Sequence, residues 1–67
     1  MLKPTIKRRL AELNIKQRDL CKQLGVTEQT LSAWTNGKAV PTLEMAFKIS
    51  KQLHCKIEDL FLFIDEE

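Results

Sequence analysis

The sequence predicts an all-α domain of five short helices with tight connections. Three observations predict it. Apolar residues recur three or four positions apart along the chain, and no segment alternates as a half-buried strand would. Hydroxyl residues stand just ahead of several of these stripes, where a helix needs an N-cap. The only two glycines and two prolines fall between the stripes and act as boundaries. A chain of 67 residues is read as one domain, residues 1–67. Such a domain buries only about 60% of its unfolded surface, so its margin of stability is thin.

Helix 1 is expected over roughly 4–13. Pro4 and Thr5 open it, since proline is tolerated in a first turn, and Ile6, Leu10 and Leu13 form one stripe. Asn14 is an acceptable left-handed C-cap. Helix 2 covers roughly 17–24, apolar at Leu20, Cys21 and Leu24. Gly25 follows, where a left-handed residue costs glycine no clash. Thr27 then caps helix 3, roughly 28–35, in which Leu31 and Trp34 face inward. Glu28, Gln29, Thr30, Ser32 and Ala33 face outward. The Gln17 to Lys38 stretch therefore reads as a helix-turn-helix. Its second helix, polar and small outside, has the shape that enters a DNA major groove.

Asn36–Gly37 stops helix 3, and Ala39 to Pro41 form a short loop. Thr42 caps helix 4, with Glu44 at its positive end and Met45, Ala46, Ile49 and Leu53 on its inner face. His54 and Cys55 turn the chain. Helix 5 is expected from Ile57 through Leu60 and Phe61, with Glu58 and Asp59 in its first turn.

Net charge is only +2, but it is unevenly placed. Residues 1–38 carry +5 and residues 39–67 carry −3. The basic half contains the helix-turn-helix, the direction that phosphate binding requires; ordinary solvated surface is the plainer explanation. Cys21 and Cys55 fall in apolar patterns and are expected to be buried small hydrophobes. One histidine, His54, leaves no four-ligand zinc set, so no metal or cofactor is expected. No apolar run approaches a membrane span or a signal sequence, and the chain is expected to be cytoplasmic. An enzyme is not expected: no nucleophile–base pair and no phosphate-cradling glycine loop is present.

Five motifs occur in order. Ile15–Lys16–Gln17 with Leu20–Cys21 is followed by Leu24–Gly25–Val26–Thr27. Next come Leu31–Ser32–Ala33–Trp34–Thr35–Asn36–Gly37–Lys38, then Pro41–Thr42–Leu43–Glu44 with Ala46, Ile49 and Leu53. Ile57–Glu58–Asp59–Leu60–Phe61 closes the set. Together, over about residues 6–61, they resemble the phage Cro/repressor-type helix-turn-helix family, also called the XRE family, of DNA-binding transcriptional regulators. The resemblance implies a lambda-repressor-like fold. Three positions depart from the family pattern. Thr35 replaces a glutamate, and Leu10 stands where its arginine partner falls, so both halves of a buried ion pair are gone together. Removing both is tolerable, whereas removing one would strand a charge. Leu10 is accordingly expected to pack near Thr35. Lys16 replaces a capping Ser or Thr, and Cys21 replaces Ala.

The resemblance implies that Gln17 holds a phosphate through its amide and the helix N-terminus; a plain exposed glutamine is the alternative. Asn36 and Lys38 resemble a second phosphate clamp, although Asn36 serves equally as a C-cap. Lys16 and Thr27 complete the expected phosphate contacts. Base reading is expected from Glu28, Gln29, Thr30, Ser32 and Ala33. Gln29 can pair with adenine N6 and N7, and Ala33 and the Thr30 methyl can meet a thymine methyl. Glu28 either accepts from cytosine N4 or merely suits the helix dipole. The absence of arginine on this face predicts a site weighted toward A·T pairs. Trp34 is read as core rather than as a base-stacking residue. Lys7, Arg8 and Arg9 are either phosphate neighbours or plain surface.

One small reader covers few base pairs, so a homodimer on a pseudo-palindromic operator is expected, with half-sites about 34–36 Å apart. The run Leu60–Phe61–Leu62–Phe63–Ile64 cannot all face one helical core. Leu60, Phe61, Phe63 and Ile64, within residues 60–67, are expected at the twofold contact, unless the run completes the intramolecular core. The favoured function is a repressor of transcription. The alternative is an antitoxin-type autoregulator that also binds a toxin protein.

Overall fold

The computed structural model describes residues 1–65. Its elements are β1 (Leu2–Pro4), α1 (Ile6–Leu13), α2 (Gln17–Leu24), α3 (Glu28–Thr35), α4 (Leu43–Gln52), a single 3-10 turn (Ile57–Asp59) and β2 (Phe61–Phe63). Four α-helices and a small sheet replace the expected five helices, which corrects the all-α reading at both ends of the chain.

The helix boundaries follow from their caps. Thr27 and Thr42 accept from the backbone N–H of Thr30 and Met45, at 3.1 and 3.2 Å, and so start α3 and α4. Asn14 and Gly25 are left-handed (φ 56° and 72°) and end α1 and α2. His54 is left-handed as well (φ 53°) and turns the chain after α4. Lys16 holds the N-cap position of α2 with no side-chain capping bond. Helix 1 starts later than expected because Pro4 belongs to a strand and Thr5 is the N-cap. The Thr5 hydroxyl caps nothing in α1; it donates to the Asp59 carbonyl at 2.8 Å and ties the helix to the 3-10 turn.

The sheet pairs the two ends of the described chain. β1 and β2 run antiparallel with Leu2 opposite Phe63, Lys3 opposite Leu62 and Pro4 opposite Phe61. The Ile64 N–H donates to Met1 O and the Thr5 N–H to Leu60 O, both at 2.8 Å. Bonded and non-bonded pairs alternate in an antiparallel ladder. Lys3–Leu62 is therefore a bonded pair, while Leu2–Phe63 and Pro4–Phe61 are not. Pro4 costs the ribbon nothing because the side where its N–H would lie faces away from β2. The five consecutive apolar residues are thus not a helix. Leu60 drops fully into the core, and Phe61 to Phe63, whose two phenylalanines suit a pleated surface, run out to meet Leu2 to Pro4.

The core joins all four helices to the segment after α4: Ile6, Leu10, Leu20, Cys21, Leu31, Trp34, Ile49, Leu53 and Leu60 are buried together. Truncating one such leucine to alanine costs about 2–5 kcal/mol, a large share of what a domain this small possesses. Trp34 and Cys21 lie inside, as read from their spacing. Burial pushes the Cys21 thiol above its usual value, with a smaller push from the Glu28 carboxylate. Leu10 and Thr35 are both buried, and the Thr35 hydroxyl donates to the Ser32 carbonyl at 3.0 Å. Neither position encloses a charge.

Candidate nucleic-acid interface

The face built by α2 and α3 holds the residues expected to read DNA. On α3, Leu31, Trp34 and Thr35 are buried, while Glu28, Gln29 and Thr30 are exposed and Ser32 and Ala33 half-buried. The apolar side of this eight-residue helix anchors it, and the opposite side is polar or small and open to solvent. Two features fix its start: the Thr27 cap, and a second bond between the Thr27 and Thr30 hydroxyls at 2.9 Å. Thr30 is thereby held locally by its hydroxyl.

The end of α3 is equally well defined. The Lys38 and Ala39 N–H groups both bond to the Ala33 carbonyl, at 2.9 and 3.2 Å, across Gly37, which is left-handed at φ 76°. Asn36 is exposed and lies within a short polar chain. Lys7 of α1 donates to its Oδ1 at 2.7 Å, and its Nδ2 donates to the Ser32 hydroxyl oxygen at 3.1 Å. A lysine ammonium can only donate. Its bond therefore fixes which end of the Asn36 amide faces Ser32.

The remaining residues expected at phosphates, Lys16, Thr27 and Lys38, are exposed, and Gln17 is half-buried at the start of α2. The backbone N–H groups of Asp19 and Leu20 already bond to the Lys16 carbonyl. Those of Gln17 and Arg18 are the donors a helix N-terminus has left to offer an anion.

Sequence reasoning missed two roles. Lys7, read as phosphate neighbour or surface, ties α1 to the end of α3. Arg9, read the same way, is tied to the chain's own backbone: Nε donates to the Leu53 carbonyl at 3.1 Å and Nη2 to the His54 carbonyl at 3.2 Å. It closes the negative end of α4. Arg9 also lowers the pKa of the half-buried Cys55 thiol, but burial, the larger influence, leaves that value raised. The signal for both roles is long-range and is absent from helical periodicity. Of the four residues assigned to a twofold contact, Leu60 is withdrawn, because it is wholly enclosed in the chain's own core. Phe61 is half-buried; Phe63 and Ile64 are exposed.

Among the described residues, no group of three or more His, Cys, Asp or Glu side chains could hold a metal, and no helix is long and apolar enough to cross a membrane.

Known proteins share this arrangement. A helix-turn-helix family profile matches residues 6–60. An uncharacterised HTH-type transcriptional regulator of Methanocaldococcus jannaschii is 50% identical over 54 residues, covering 81% of this chain and 82% of the relative. A second, from Archaeoglobus fulgidus, is 38% identical over 66 residues, covering 98% of this chain and 93% of the relative. The crystal structure of a candidate DNA-binding protein from Bacteroides fragilis superposes with a TM-score of 0.86 at 34% identity, over 92% of this chain and all of that one.

Proposed function

From the premise that the chain belongs to the XRE-type helix-turn-helix family of transcriptional regulators, we propose that it is a sequence-specific repressor. It binds a pseudo-palindromic operator as a homodimer and places α3 in the major groove of each half-site. The observation that carries the reading is the two-sidedness of α3: Leu31 and Trp34 are locked in the core while Glu28, Gln29 and Thr30 stand in solvent.

Glu28, Gln29, Thr30, Ser32 and Ala33 read base edges, with Gln29 set against adenine and the small Ala33 and the Thr30 methyl against thymine. Lys16, Gln17, Thr27, Asn36 and Lys38 hold phosphates on either side and set the register of the helix in the groove. The +5 charge of residues 1–38 supplies the attraction, and each neutralised phosphate releases counterions. Repression follows by occlusion: a folded domain seated over promoter DNA denies that groove to polymerase.

The test is selection from random duplexes at fixed salt, followed by titration of the winner and scrambled controls. One palindromic, A·T-weighted motif bound a thousandfold more tightly than the controls supports the reading, at the lower end of ordinary specificity ratios. Equal binding to every duplex refutes it.

A further inference from the structure

The two ends of the helix-turn-helix differ in what they can offer a phosphate. At the start of α2 the backbone has free donors. At the end of α3 it has none to spare. The Asn36 N–H bonds to the Ser32 carbonyl at 2.9 Å and the Gly37 N–H to the Trp34 carbonyl at 3.4 Å, while those of Lys38 and Ala39 share the Ala33 carbonyl. An anion seated here must be held by side chains. Asn36 and Lys38 are exposed and available, but they are not alike. A lysine ammonium only donates. An asparagine amide has an oxygen at one end and an NH2 of nearly the same shape at the other. Only the NH2 end attracts an oxyanion, and the oxygen end repels it.

The sense of the Asn36 amide is set from another helix. Ser32 cannot set it, because a hydroxyl donates or accepts as required. Lys7 can. Its ammonium donates to Asn36 Oδ1 at 2.7 Å, and it has nothing to accept from an NH2. The amide oxygen is thereby turned toward α1. Nδ2 spends one hydrogen on the Ser32 hydroxyl oxygen at 3.1 Å and keeps the other. The start of α1 is fixed against this turn: a Cβ on Gly37 would stand 3.5 Å from Pro4 Cδ. The acceptor is also neutral, so Lys7 keeps its charge. Among the described residues no carboxylate lies within ion-pair distance of it.

We infer that Lys7 is a positioning residue for DNA binding. It turns the NH2 of Asn36 outward, so that the end of α3 presents donors alone to one backbone phosphate. The inference rests on the DNA-binding function proposed above and deepens it. Lys7 acts through Asn36, and a lysine that merely added charge to the surface would not need that partner.

The test uses the full chain and the duplex that selection recovers for it. In proton–nitrogen correlation spectra of the free protein, the Asn36 side-chain amide is expected to shift in Lys7→Met and to return toward its parent position in Lys7→Arg. An amide unmoved in K7M overturns the inference before any DNA is added. In titrations K7M is expected to bind about tenfold more weakly than the parent, the loss of one bond involving a charged group. In an Asn36→Ala background the same change is expected to cost only about twofold, because the group it positions is gone. K7R still donates to Oδ1 and is expected to bind within about threefold of the parent. Lys7 is exposed and methionine retains an apolar stem, so binding is compared per folded molecule after urea unfolding of each variant. Equal costs of K7M in the two backgrounds overturn the inference, since charge alone would explain them. An arginine variant as weak as the methionine one overturns it too. A parent chain that binds no duplex sinks the regulator reading and the phosphate role with it. A parent that binds specifically while the costs simply add sinks the positioning role alone.

Discussion

Replacing Lys16 by serine is expected to stabilise the fold and weaken DNA binding together. The backbone at Lys16 (φ −79°, ψ 143°) nearly matches that at Thr27 (−78°, 157°) and Thr42 (−61°, 159°), the two positions whose hydroxyls cap α3 and α4. A serine there can accept an early N–H of α2 with no backbone movement. Gaining an N-cap contributes about 1 kcal/mol, which in a domain of this size raises the melting temperature by about 4–8 °C. The same change removes an ammonium from the end of the helix that is proposed to face phosphate. A lone charge pair in water-like surroundings contributes about 1 kcal/mol, so affinity falls about fivefold per half-site. The slope of log K against log salt becomes shallower by about 0.9 for each phosphate released. Thermal unfolding by circular dichroism and fluorescence anisotropy across a salt series measure the two effects. Lys16→Ala serves as control: it loses the charge without gaining a cap, so its binding weakens and its melting point does not rise. A K16S protein no more stable than the parent refutes the capping argument. Salt slopes unchanged in both variants refute the phosphate role.

Gln29→Ala is expected to cost about 1–3 kcal/mol at one base position and to relax preference there; an equal loss on all duplexes would place Gln29 on the backbone instead. Arg9→Met keeps most of the apolar stem but strips two charge-assisted bonds from the carbonyls that end α4. A loss of about 1–2 kcal/mol in urea unfolding, with DNA affinity per folded molecule unchanged, is expected. A selective loss of DNA affinity would return Arg9 to the interface. Gly25→Ala meets no atom within 4 Å of the added Cβ, so its cost is that of the left-handed backbone alone, about 1–2 kcal/mol. Gly25→Asn should recover part of it, because asparagine tolerates that conformation. An alanine cost far above this range would mean that space, not φ, is limiting.

What was legible in the sequence was local. The four helices, the Thr27 and Thr42 caps, the left-handed Asn14 and Gly25, and the inward placement of Leu31 and Trp34 all follow from neighbours three or four residues apart. The polar face of α3 was legible for the same reason. The ribbon was not. Phe61 to Phe63 make a strand only because Leu2 to Pro4 lie beside them, and nothing within either segment announces a partner some sixty positions away. Five apolar residues in a row fit a helix or a strand equally well on periodicity; here pairing settled the matter. Lys7 and Arg9 failed similarly. Both sit on the polar side of α1, where charge reads as solvent-facing, yet each reaches across to backbone or amide groups on another helix. Lys16 was legible as a departure from the family pattern, because the missing cap is a property of one residue at one position.

The chain from Lys7 through Asn36 to Ser32 has a chemical polarity. Because the lysine can only give, the asparagine must present its NH2 to the serine, and one of the two lone pairs on the serine oxygen is taken from behind. A proton and a single lone pair remain. Seated in a groove, that hydroxyl would have its proton for a purine N7 or a thymine O4 and room to accept only once. A side chain on the first helix thus narrows what a residue of the third has to offer a base.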